Sequence, residues 1–112
     1  MSEIAELLKT KYQDRLNGEL ESYAIDELNG LKIYWKPLTG RQQKVIQKAA
    51  VNSTAEGICM HVKSRALDEK KELIFKDIAL IGLMNDYEFN DITKIFFAMT
   101  GSDFSVDDIE KN

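Results

Sequence analysis

The sequence predicts an α+β fold: an N-terminal amphipathic helix, an antiparallel β-hairpin over about residues 22–36, and then a mainly helical bundle. Three observations carry this. Residues 2–17 hold one apolar stripe at helical spacing. Asn29-Gly30, a dipeptide that tolerates positive φ, sits between two alternating runs. After Pro37 the apolar residues return to helical spacing, and the runs open on Ser, Thr or Asn with Gln or Glu three positions on.

In the first helix, Ile4, Leu7, Leu8, Tyr12 and Leu16 fall on one stripe, with Lys9, Lys11, Asp14 and Arg15 on the opposite face. Ser2 suits the N-cap, Glu3 and Glu6 the positive end of the helix dipole, and Asn17-Gly18 the stop. Two readings of residues 1–18 stay open: a helix packed on the protein's own core, or a projecting helix whose narrow stripe docks on a partner or on a second copy.

A two-residue turn at Asn29-Gly30 pairs Ser22–Leu28 with Leu31–Lys36. Leu31, Ile33 and Trp35 form the apolar set of the second strand, with Lys32, Tyr34 and Lys36 opposite. Tyr23 and Tyr34 are then expected on the outward face. Pro37 ends the ladder, and Thr39 with Gln42 writes a capping box for a helix carrying Val45, Ile46, Ala49 and Ala50. A break near Asn52-Ser53 is expected, where Ser53 and Glu56 offer a second box ahead of Ile58, Cys59, Val62 and Ala66. Residues 65–76 place apolar pieces on both sides of a charged turn, which reads as a second small hairpin or a hairpin-like loop. Asp77 is expected to cap a helix with Ile78 and Ile81, and Asn85 with Glu88 to open the next. The last helix has the stripe Phe89, Ile92, Phe96 and Met99, with Gly101 as its C-cap. A short acidic tail over 102–112, capped by Ser105, completes a single domain of 112 residues.

Composition narrows the function classes. Apolar content of 44% and charged content of 30% belong to a globular chain rather than a disordered one. A net charge of −4, with the 15 basic residues interleaved among acids, argues against nucleic acid, whose phosphates draw affinity from clustered Lys and Arg. One cysteine and no signal-like or membrane-spanning run point to a reducing cytoplasm and no membrane.

No catalytic, cofactor-binding or metal-binding constellation emerges. His61 is the only histidine and reads as a surface or boundary residue; on a helix, Cys59 lies about 200° from it in azimuth. Cys59 itself reads as a buried structural thiol, since nothing near it in sequence would hold a thiolate. The pairs Asp68-Glu69 and Asp107-Asp108 read as solvated charge rather than paired catalytic carboxylates. Gly40 is followed by Arg41-Gln42, not by a phosphate-cradling Gly-Lys-Ser/Thr. Phe96 and Phe97 are adjacent on a helix and cannot both enter one core, so Phe97 stands as an interface residue.

The full order is amphipathic start, strand, Asn-Gly, strand, Lys36-Pro37-Leu38-Thr39-Gly40-Arg41-Gln42-Gln43, helices and a charged hairpin ending Leu73-Ile74-Phe75. A capped helix pair, Thr100-Gly101 and the end Glu110-Lys111-Asn112 follow. Over residues 22–112 this resembles the tail assembly chaperones of long-tailed bacteriophages, small proteins encoded just ahead of the tape measure protein. The resemblance implies a non-enzymatic role in virion morphogenesis. Such a chaperone binds the long, apolar tape measure protein, keeps it soluble in the host cytoplasm, helps recruit tail-tube subunits and is absent from the mature virion. It also implies a longer form made by a programmed −1 frameshift, which recruits the tail-tube protein. Glu110-Lys111-Asn112 can be encoded as GAA AAA AAY, which holds the slippery heptamer A AAA AAY in frame; an AAG codon at Lys111 in the gene would remove it.

Candidate partner-binding residues are Ile4, Leu7 and Leu8 on the first helix, Tyr23 and Tyr34 on the hairpin, Phe97, and Phe104, Val106 and Ile109 in the tail. Self-association is expected, because coating a long client takes many copies. Two other readings compete. A small regulatory DNA-binding or anti-repressor protein would use Arg41, Lys44 and Lys48, which share a helix face. A structural tail or head component would be retained in purified virions.

Overall fold

A computed structural model describes residues 2–25 and 28–103. The elements run α1 (Glu3–Asn17), β1 (Glu21–Ile25), β2 (Leu31–Trp35), α2 (Gly40–Asn52), α3 (Thr54–Arg65), α4 (Leu80–Asn85) and α5 (Phe89–Asp103). This is the α+β arrangement expected: a helix, a two-stranded antiparallel hairpin, then helices. The expected acidic tail, with Ser105, Phe104, Val106 and Ile109, lies outside the described residues from Phe104 onward.

Local chemistry explains most boundaries. Ser2 Oγ accepts from Ile4 N–H at the start of α1. Thr39 and Gln42 form a complete capping box at α2: Gln42 N–H donates to Thr39 Oγ1 at 3.3 Å, and Thr39 N–H donates to Gln42 Oε1 at 3.2 Å. Ser53 is extended (φ −168°, ψ 156°), ending α2 and capping α3 through Glu56 N–H at 3.1 Å. The Glu56 carboxylate does not complete a second box; it accepts from Asn52 Nδ2 at 3.1 Å.

The hairpin departs from expectation in register. Its ladder pairs Tyr23 with Ile33 and closes at Ile25 opposite Leu31, leaving a five-residue loop rather than a two-residue turn. Asn29 (φ 59°) and Gly30 (φ 76°) do take left-handed conformations, and Gly30 N–H donates to Ile25 C=O at 3.0 Å. The two registers differ by an odd number of residues, and an odd slip moves every side chain of one strand to the other face. In the observed register Tyr23 and Ile25 join Leu31, Ile33 and Trp35 on one side, so apolar burial outweighs the tightest turn. Tyr23 and Tyr34 therefore lie on opposite faces, not together on an outward one.

The expected second hairpin is shorter than 65–76. α3 runs to Arg65, Leu67 bridges both Tyr34 and Leu73, and the chain reverses over 68–72. Asp68 Oδ1 holds that reversal, accepting from Lys70 N–H at 2.8 Å and Glu72 N–H at 3.1 Å, while Lys71 adopts φ 66°. Asp77 does not cap a helix. Residues 75–78 form turns, with Lys63 Nζ donating to the carbonyls of Phe75 (3.0 Å), Lys76 (3.3 Å) and Ile78 (2.5 Å). That ammonium collects carbonyls in a non-helical arrangement, so α4 starts later, after Ala79 and without a side-chain cap.

Asn85 ends α4 instead of opening α5, and Gly101 lies inside α5 instead of capping it. The buried face of α5 is Ile92, Ile95 and Met99, with Phe96 partly buried; Phe89 is exposed. These residues pack with Ile33, Trp35, Cys59, Val62, Ala66, Phe75 and Leu83 into one core. The helix α1 buries no residue.

Candidate functional site

A groove of about 720 Å³ lies between the hairpin and the N-terminal half of α5. Its floor comes from Tyr23 and Ile25 on β1, Ile33 on β2, Phe75, and Ile92 and Ile95 on α5. Leu28, Leu31, Ile74 and Tyr87 stand exposed at its edge, and Tyr87 meets Phe75 edge to face at 5.9 Å. Around these runs a mixed-charge rim: Lys32, Lys70 and Lys94 with Asp68, Glu69, Glu72 and Asp91. The β1 face reaches the groove because of the observed register, and the 68–72 reversal brings its charges alongside.

A second apolar surface is the α1 stripe. Ile4 is 69% exposed, Leu7 61% and Leu8 60%, so three large aliphatics face solvent on consecutive turns. Phe97 is the third, 64% exposed, while its neighbour Phe96 turns inward against His61 with ring centroids 5.1 Å apart. Tyr34 is half-buried, its backbone bonded to Leu67 through Tyr34 N–H (2.9 Å) and Leu67 N–H (2.8 Å). The candidate residues thus fall on separate surfaces: Tyr23 in the groove, Tyr34 on the reverse of the hairpin, Phe97 on α5 and the α1 stripe apart. Ile25, Leu28, Leu31, Ile74 and Tyr87 escaped sequence reasoning. The signal that finds them is the strand parity, since Tyr23-x-Ile25 and Leu31-x-Ile33-x-Trp35 make one apolar face only when odd positions pair.

His61, Arg65 and Cys59 lie in the interior. His61 is buried, not at the surface or boundary as expected. Arg65 Nη1 donates to its Nε2 at 2.6 Å, and Arg65 Nη2 donates to Lys36 C=O at 2.8 Å, joining the last turn of α3 to the end of the hairpin. Cys59 has no exposed surface, and burial pushes its thiol pKa up, away from the reactive thiolate. Among the described residues no group of three His, Cys, Asp or Glu is placed to hold a metal ion. No described helix is long and apolar enough to cross a membrane. No family model, curated protein or solved structure matches the chain.

Proposed function

We propose that this protein is a binding protein of phage tail morphogenesis, a tail assembly chaperone whose client is the tape measure protein. The observation that carries the reading is the pairing of unsatisfied apolar surface with charge. The α1 stripe projects with no residue buried, and the groove sets an apolar floor inside a charged rim. Each large aliphatic side chain taken out of water contributes about 1.5–3 kcal/mol, so surfaces of this kind favour an apolar helical client. Flanking charges keep such a complex dispersed. The resemblance of residues 22–112 to tail assembly chaperones supplies the client's identity.

In this reading the chain acts in the host cytoplasm, self-associates along its client, and leaves before the virion matures. A longer frameshifted form recruits the tail-tube protein, and the protein has no enzymatic step.

Co-expression with the large protein encoded just downstream tests this. The soluble fraction of that protein is expected to rise severalfold with the chain present, and purified virions are expected to lack the chain. An unchanged soluble fraction overturns the chaperone reading, and retention in virions moves the protein to the structural components.

A further inference from the structure

The interleaving of basic with acidic residues fails over one stretch. Lys32, Lys36, Arg41, Lys44 and Lys48 are the only charged residues between Glu27 and Glu56, in a chain of net charge −4. Three of them stand on α2. We infer that the outward face of α2 docks an acidic amphipathic segment of a partner protein. The inference does not rest on the client reading, since α2 contributes no residue to the groove or to the α1 stripe.

Helix geometry makes the three cations one surface. At about 100° per residue, Arg41, Lys44 and Lys48 fall within about 60° of one another around α2. Val45 and Val51 stand on either side of them, 44% and 85% exposed, and Val51 is the most exposed large apolar residue described. The other side of α2 is internal: Ile46 and Ala49 are buried, and Ala50 lies directly against Gly57 of α3. Arg41, Lys44 and Lys48 are exposed, and none of their side chains has an ion-pair or hydrogen-bond partner among the described residues.

These charges work against the helix that carries them. α1, α3 and α5 each place an acid in the first turn, where the helix dipole is positive; α2 places none there and carries Arg41 instead. Arg41 with Lys44 and Lys44 with Lys48 are like-charge neighbours at i, i+3 and i, i+4, and both spacings are unfavourable. Carboxylates arriving from a partner relieve both conflicts.

The mixture of charge and valine selects the class of partner. A phosphate backbone complements the cations but leaves Val45 and Val51 in water, and a long polyanion also meets the acidic remainder of the chain. A short acidic helix avoids both problems. Carboxylates at i, i+3 and i+7 match the spacing of Arg41, Lys44 and Lys48, and apolar residues beside them cover the valines. With 13 residues α2 is about 20 Å long, so an occupant of similar length spans the face.

Fluorescence anisotropy of the full chain tests this with a labelled helical peptide of about 14 residues, its glutamates at i, i+3 and i+7 beside two leucines. Binding is expected with a dissociation constant on the order of 100 μM in low salt, at least about fivefold weaker in about 0.5 M NaCl. A scrambled peptide of the same composition should bind at least about tenfold more weakly. Arg41→Glu should weaken the patterned peptide at least about tenfold and yet raise the melting temperature by about 2–4 °C, because an acid suits the first turn. Lys48→Glu replaces Arg41→Glu if that variant is destabilised. Val51→Ser should weaken binding about threefold through lost apolar contact. No binding at about 1 mM peptide overturns the inference, as do an equal response to the scrambled peptide and a charge-reversed variant that binds normally. A Val51→Ser variant of unchanged affinity overturns the amphipathic occupant. An oligothymidylate of the same length that binds more tightly than the peptide assigns the face to nucleic acid and overturns it. Self-association of the chain that Arg41→Glu abolishes assigns the face to a second copy and overturns it likewise. None of these outcomes bears on the co-expression result, which reads other surfaces.

Discussion

Gly57 of α3 lies directly against Ala50 of α2: a Cβ at position 57 would come within 2.7 Å of Ala50 Cβ and 3.0 Å of its Cα. The second contact is to backbone, which cannot rotate away, so any side chain at 57 must push the two helices apart. Gly57→Ala should therefore destabilise the protein, although alanine favours helix by up to about 1 kcal/mol. Overpacking of this kind costs about 1–3 kcal/mol, leaving a net loss of about 1 kcal/mol in thermal unfolding. A double-mutant cycle with Ala50→Gly should show favourable coupling, because the second change removes the closest clash.

Lys63 fastens the 75–78 turn through three carbonyls. Lys63→Met keeps the aliphatic stem and removes all three bonds. The side chain is only partly buried, so water replaces some of the loss, and about 2 kcal/mol is expected in urea denaturation. Lys63→Arg should recover little, since a planar guanidinium cannot present three donors around one point.

The capping box at α2 separates into its halves. Thr39→Ala removes the oxygen that accepts from Gln42 N–H and should cost about 1 kcal/mol. Gln42→Ala removes the Oε1 that accepts from Thr39 N–H at 3.2 Å and from Thr39 Oγ1 at 3.3 Å, leaves Gln42 N–H capped by Thr39, and should cost less. Melting temperatures of the two variants give the order.

Cys59 supplies a pH dependence with a definite sign. Burial raises its pKa in the folded protein, so the unfolded chain releases the proton first as pH rises. Stability from this group is complete below the unfolded value of about 8.5 and is lost as pH climbs through the folded value. Cys59→Ala should lose less stability than the wild type between neutral and alkaline pH, measured as the change in melting temperature. A thiol reagent should label Cys59 in the native protein only at the rate of opening.

What could be read ahead of the structure was local. Thr39–Gln42, Ser53 and Ser2 declare their helix starts because the capping partner lies within three residues. The features that escaped depend on distant residues. Asp77 looks like a cap until Lys63, fourteen positions earlier, holds the neighbouring carbonyls in a turn. His61 looks like a boundary residue until Arg65 and Phe96 close over it. The groove was hidden for the same reason: the strand parity that builds it answers to Ile92 and Ile95, more than sixty residues beyond Tyr23.

The hairpin register has a consequence in time as well as in shape. A two-residue Asn-Gly turn is the fastest closure available to residues 22–36, and hairpins form within about 1–10 μs. It would zip the strands with Leu28 opposite Leu31, the register not observed, and leave Tyr23 facing away from Ile33. The register that survives gains its advantage only when α5 arrives, after the slow closure of a long loop. A hairpin closed that way is correct in topology and inverted in face, a local preference in conflict with the native core. Strands closed in that register would have to part and slide before Tyr23 could face Ile33 in the core.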